Sequence, residues 1–198
     1  MGICQMNRAV FLDRDGVINR LVFNPLTGDY ESPHYPEDLE LYPWTIEALK
    51  KLQKNGYMLF LVSNQPSFAK GKTTLEHIKS IHDKFHNYIS DRGITFTAYY
   101  YCYHHPHGII PEFTCTCECR KPSPYFLLKA QEEFRLDMEN SWFTGDRDTD
   151  IFCGQAAGVK TILIEEEHSG NNRGKSNPAF FAKDLREAVE IILRKNYE

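Results

Sequence analysis

Short apolar runs separated by polar turns recur along the chain. Ala9–Leu12, Tyr57–Val62, Ala98–Cys102, Trp142–Thr144 and Thr161–Ile164 are apolar almost throughout, the pattern of strands buried on both faces. Helical spacing fills the intervals. Ile46, Leu49 and Leu52 line one face of Thr45–Lys54, which stops at Asn55-Gly56. Thr73 with Glu76 three residues on makes a capping box for a helix running to about Arg92, closed by Gly93. Ser123-Pro124 supplies a cap and a first-turn proline ahead of Tyr125–Arg135. Asp148–Ala157 and Asp184–Arg194 complete the predicted helices. Strand and helix alternate, so the fold class is α/β: a Rossmann-like, mainly parallel sheet with helices on both faces, which binds ligands at the carboxyl ends of its strands. Two segments fall outside the alternation. Arg20–Pro43, rich in Pro, Gly, Asp and Tyr, reads as a long loop near the first strand end that could cover a substrate, and Glu165–Pro178 reads as a solvated loop.

Length and charge narrow the picture. The 198 residues suit one domain, residues 1–198, with no large cap. With 27 acidic against 23 basic residues the net charge is −4, which argues against general binding of nucleic acid or an anionic membrane. No apolar stretch is long enough for a membrane span, and the first six residues lack the apolar run of a signal peptide. A cytoplasmic monomer is the expectation. Of six cysteines, four lie between positions 102 and 119, and in a reducing compartment such clustering points to metal. Cys4 and Cys153 stand apart and read as small hydrophobes.

The chemistry gathers at strand ends. After the first strand comes Asp13-Arg14-Asp15-Gly16, and a turn at Gly16 lets both carboxylates reach the ligand edge. One carboxylate can attack phosphorus while a second protonates the leaving oxygen; an ordinary charged turn has the same composition. Attacker and phosphate are both anions, so a hard divalent cation such as Mg2+ belongs in such a site. Ser63-Asn64-Gln65 offers a hydroxyl and amide donors after the second strand, or simply a turn. Arg120-Lys121-Pro122 could neutralise phosphate or sit in solvent. Asp146, Asp148 and Asp150 follow the fourth strand, where a cation would relieve their repulsion. Cys102, His104, Cys117 and Cys119 supply three sulfurs and one nitrogen, a donor set for structural Zn2+ within a loop spanning 102–119, with Cys115, His105 and His107 as competitors.

In this order, each element after a strand, Asp-x-Asp, Ser-Asn, Lys-Pro and Gly-Asp-x-x-x-Asp resemble the four motifs of the haloacid dehalogenase superfamily. The resemblance spans roughly Ala9 to Ile164. It implies that Asp13 is the nucleophile and an Mg2+ ligand, and that Asp15 is the general acid/base with its backbone carbonyl on the metal. Ser63 and Asn64 would hold the phosphoryl group, Lys121 would stabilise its charge, Asp146 would be the second metal carboxylate and Asp150 a supporting residue. Cys117–Pro122, which ends Cys-x-Cys-Arg-Lys-Pro, resembles the zinc loop of two families, the heptose bisphosphate phosphatases and the histidinol-phosphate phosphatases. Tyr101–Pro106 and Ala69–Lys72 look closer to the former. By that resemblance the substrate is a small phosphorylated metabolite, a sugar bisphosphate, contacted by Arg120 and Arg147. Pro66-Ser67-Phe68 stands where the heptose enzymes have Ser-Gly-Ile, Lys70 replaces their arginine, and Arg20–Pro43 is longer than theirs.

Overall fold

The computed structural model describes residues 6–195; Cys4 and the chain's first residues lie outside that range. Six strands form one parallel sheet in the order β5-β4-β1-β6-β7-β8: β1 Arg8–Leu12, β4 Tyr57–Asn64, β5 Ala98–Cys102, β6 Trp142–Gly145, β7 Lys160–Ile164 and β8 Phe180–Ala182. Five helices join them: α1 Thr45–Lys54, α2 Leu75–Ser90, α3 Tyr125–Phe134, α4 Asp148–Ala156 and α5 Leu185–Arg194.

Strand period explains the layers. In β1, Val10 and Leu12 pack into the core shared with α1, α2 and α5, while Ala9 and Phe11 join the core under α3 and α4. Leu59 and Leu61 against Phe60 and Val62 repeat that division in β4. Phe11 and Phe60 stack at 5.1 Å between ring centres, each buried phenylalanine contributing about 1.5–3 kcal/mol. With β1 central and paired to both β4 and β6, Asp13 emerges at the middle of the sheet's carboxyl edge.

The structure corrects several boundaries. The cap of α2 is Thr74, whose hydroxyl accepts from His77 N–H at 3.1 Å, while Thr73 donates to the His34 carbonyl at 2.6 Å. Pro124 occupies the cap position of α3, with Ser123 Oγ accepting only a long bond from Tyr125 N–H at 3.4 Å. The segment read as a long loop contains an antiparallel hairpin, β2 Val22–Asn24 and β3 Asp29–Glu31. Glu165–Pro178 is only partly solvated: it holds a 3-10 turn, Glu167–Asn172, in which Ser169 is fully buried. The three-residue β8 pairs with β7 beyond that turn and was too short to stand out as an apolar run.

His82 of α2 lies face to face with Tyr101 at 3.7 Å, and burial, with the charges of Arg14 and His86, holds its pKa down at about 3 from 6.5. The unfolded chain therefore binds a proton here below pH 6.5 that the folded chain refuses, so this contribution to stability is present at neutral pH and lost as pH falls. His82→Phe keeps the stack without the titration. Between pH 7.5 and 5.0 the wild type should lose ~2 kcal/mol more than this variant in urea unfolding. Equal losses would show that His82 titrates normally.

Candidate active site

Three carboxylates and one ammonium converge where β1, β4 and β6 end. Lys121 Nζ lies 3.0 Å from Asp13 Oδ1 and 2.6 Å from Asp150 Oδ1, and donates to the Val62 carbonyl at 2.7 Å. Burial alone would lower the lysine pKa, but Asp13 and Asp150 outweigh it and hold the ammonium charged, above its ordinary value. Asp146 is completely buried. Burial, with Asp150 and Asp13 nearby, pushes its pKa up to about 7 against the opposing pull of Arg147, whose Nε is 3.6 Å away, and of the Ser169 hydroxyl, which donates to Asp146 Oδ2. Its Oδ1 has no hydrogen-bond partner.

Asp13, Asp146 and Asp150 each present an oxygen within 4.8 Å of the others. Lys121 and the partly exposed Arg147 leave at least one of three buried carboxylates uncompensated, and the orphaned Asp146 oxygen and all-oxygen donor set suit a hard cation such as Mg2+. Asp148 is not part of the group: its carboxylate accepts from Lys175 N–H at 2.9 Å and Ser176 N–H at 3.0 Å, fixing the loop after β7.

Local backbone makes the convergence possible. Gly16 has φ +85°, and a Cβ there would come within 2.5 Å of Asp146 Oδ2, so no other residue lets the first turn approach the fourth motif so closely. Asn64 clasps the Lys121 backbone from both sides, Nδ2 donating to its carbonyl and Oδ1 accepting from its N–H, each at 3.1 Å. That amide, expected on the phosphoryl group, is thus engaged in holding Lys121. Asp15 does not join the carboxylate group. Its Oδ1 accepts from Arg14 Nε at 3.0 Å and Asn19 Nδ2 at 2.9 Å, and its Oδ2 from Arg14 Nη2 at 3.2 Å and Gln65 Nε2 at 2.6 Å. Ser63 is buried beside them. Arg14, Asn19 and Ser169 went unassigned in the sequence; an arginine set between two aspartates was the available signal for the first, and the structure buries it fully.

Above this floor opens a pocket of about 500 Å³, its walls carrying Lys70, Arg120 and Arg147 on one side and Asp29–Ser32 of the hairpin on another. Tyr30 stacks on His168 at 3.4 Å, closing the hairpin against the turn after β7. Glu31 pairs with Lys72, and Ser32 bonds Ser67 at 3.0 Å, so the hairpin is seated on the loop after β4. Among the described residues the cover is this hairpin and loop, not a cap domain.

The sulfur cluster forms one wall's foundation. Cys119 Sγ lies 3.2 Å from Cys102 Sγ, 3.4 Å from Cys117 Sγ and 3.6 Å from His104 Nδ1. Ligands ~2.0–2.3 Å from a tetrahedral zinc sit at about these mutual distances, so the set fits that ion. Burial and the neighbouring Cys119 raise the Cys102 thiol well above its ordinary pKa, a penalty a bound divalent cation reverses. Cys115, exposed, lies outside the group, as do the half-buried His105 and the exposed His107, the latter donating its backbone N–H to His105 Nδ1 at 3.1 Å. Arg120 Nη1 donates to the His104 carbonyl at 3.1 Å, and Gln65 N–H to the Cys102 carbonyl at 2.7 Å, which ties the loop to the site.

Comparison with known proteins agrees with this geometry. Residues 118–188 match a family model described as HAD-hydrolase-like. A D-glycero-beta-D-manno-heptose-1,7-bisphosphate 7-phosphatase of Vibrio cholerae is 35% identical over 187 residues, 94% of this chain and 96% of that one. One from Yersinia pestis is 37% identical over 156 residues, 79% of each chain. In fold, the chain is similar to a crystal structure of D,D-heptose 1.7-bisphosphate phosphatase from B. bronchiseptica complexed with magnesium and phosphate, with a TM-score of 0.78 at 23% identity over 95% of this chain and 99% of that one. A parallel sheet with carboxylates and a buried lysine at its carboxyl edge thus defines a phosphatase of the haloacid dehalogenase superfamily. Within that superfamily, the chain belongs to the family of the heptose-1,7-bisphosphate 7-phosphatases.

Proposed function

We propose that the chain removes the C7 phosphate of D-glycero-D-manno-heptose 1,7-bisphosphate through an aspartyl-phosphate on Asp13. Asp13 attacks phosphorus; Asp15 protonates the departing sugar oxygen and then takes a proton from the water that hydrolyses the acyl phosphate. Lys121 and the Ser63 hydroxyl stabilise the charge on the phosphoryl oxygens, with Asn64 holding Lys121 in place. Asp13 and Asp146, with the Asp15 backbone carbonyl, would hold Mg2+, which supplies charge neutralisation between the two anions. Cys102, His104, Cys117 and Cys119 would hold a structural Zn2+. Residues 1–198 act as a single phosphatase domain, monomeric and cytoplasmic. Among the described residues no helix is long and apolar enough to cross a membrane.

The observation that carries the substrate is the cationic wall. Burial and the charges of Lys72, Arg120 and Arg147 lower the Lys70 pKa, as happens when cations are crowded around a place meant for an anion. A substrate with a second phosphate satisfies that wall; histidinol phosphate, which brings an ammonium instead, does not. Magnesium-dependent phosphate release from both compounds tests this, with kcat/KM for the heptose bisphosphate expected to be higher by about 100-fold, the scale of one or two charged contacts. A preference for histidinol phosphate would remove the sugar while leaving the aspartyl-phosphate chemistry intact.

A further inference from the structure

Gln65 stands one residue beyond β4, almost fully buried, its backbone pinned to the Cys102 carbonyl. Its side chain meets three residues of the site at once. Oε1 accepts from Arg14 Nη2 at 2.9 Å, and Nε2 donates to Asp15 Oδ2 at 2.6 Å and to Ser63 Oγ at 3.0 Å. The amide can take only one orientation here, because the guanidinium has only donors to offer, which puts Oε1 on Arg14 and leaves Nε2 for Asp15 and Ser63. Both amide hydrogens are used, one on each partner.

Two consequences follow from these bonds. Arg14 and Asn19 belong to the same turn as Asp15, so they fix its carboxylate within that turn but not against the rest of the site. Gln65 ties the turn to the adjacent strand. Ser63 Oγ, occupied as an acceptor, keeps its own hydrogen free to donate. From this juxtaposition we infer that Gln65 is a positioning residue: it aims Asp15 at the leaving oxygen and turns the Ser63 hydroxyl toward the phosphoryl group. The inference rests on the reading of Asp15 as the acid. In that step a bond forms between Asp13 oxygen and phosphorus, the ester P–O bond breaks with its electron pair going to the sugar oxygen, and that oxygen takes the proton of the Asp15 carboxyl.

A leaving group that departs without a proton separates positioning from architecture. For Gln65→Leu, kcat/KM on the heptose bisphosphate should fall about 30-fold, whereas p-nitrophenyl phosphate, whose phenolate needs no acid, should lose only ~3-fold through the misdirected Ser63 hydroxyl. The melting temperature should move by no more than a few degrees, measured on the same preparations. Gln65→Met, which keeps the length of the side chain without its hydrogen bonds, should reproduce the split. Equal falls on both substrates, or none, would overturn the inference while sparing the phosphatase reading. Failure of both variants to fold would make Gln65 an architectural residue and overturn it too. A wild-type protein that hydrolyses neither substrate overturns the phosphatase reading and this inference with it.

Discussion

Asp13→Asn should lower kcat for phosphate release by about 10⁴-fold or more, because an amide neither attacks phosphorus nor forms the acyl phosphate that water later cleaves. The substitution is close to isosteric. The bond from Arg14 N–H to Asp13 Oδ1, 2.7 Å, survives on the amide oxygen, and Lys121 keeps Asp150 as a counter-ion at 2.6 Å. Loss of activity would therefore come without loss of fold, and thermal unfolding measured on the same sample should show a nearly unchanged midpoint. Steady-state release of inorganic phosphate in excess Mg2+ gives the first number and differential scanning fluorimetry the second. A variant that turned over at more than about one hundredth of the wild-type rate would require another nucleophile, and the aspartyl-phosphate would have to be abandoned.

The second large effect concerns the sulfur cluster. Cys119 lies close to all three other members, so Cys119→Ala removes a residue that touches the whole set. A structural zinc site is worth ~10–16 kcal/mol in small zinc domains, comparable with the entire stability of a typical fold. Here the sheet and its two cores are independent of the loop, so the expectation is partial: bound zinc falls from one per chain to none, and the melting temperature drops by ~10 °C or more. Activity should fall with it, because the Cys102 carbonyl holds Gln65 and the His104 carbonyl holds Arg120. Elemental analysis after EDTA dialysis, paired with calorimetry, measures both. A zinc-free protein that melted where the untreated one does would end the structural role.

How far the sequence revealed all this depended on how each residue does its work. The five long strands were legible because burial on both faces requires uninterrupted apolar runs, and the motif residues because they directly follow those runs. Lys121 illustrates the limit. Its place after the cysteines was readable, but its pairing with Asp150 was not, since that contact spans separate strand ends and depends on β1 lying between β4 and β6. The hairpin over the site was hidden in a stretch of Pro, Gly and Asp, where each strand is three residues long and neither face alternates cleanly. Ser169 was hidden by its company: Gly170, Asn171 and Asn172 are the composition of a wet loop, and only the fold brings that hydroxyl under Asp146.

The position of β1 has a consequence for the chain's birth on the ribosome. The nucleophile's strand is made before both of its flanking partners, one of which begins only at Trp142, and the hydroxyl bonded to Asp146 arrives at Ser169. Until then β1 can pair only with β4, leaving one side of an apolar strand as an open template for other chains. A nascent chain stalled between residues 65 and 141 would be an aggregation hazard with half a catalytic apparatus, so protection of β1 by native pairing is complete only once β6 has been made.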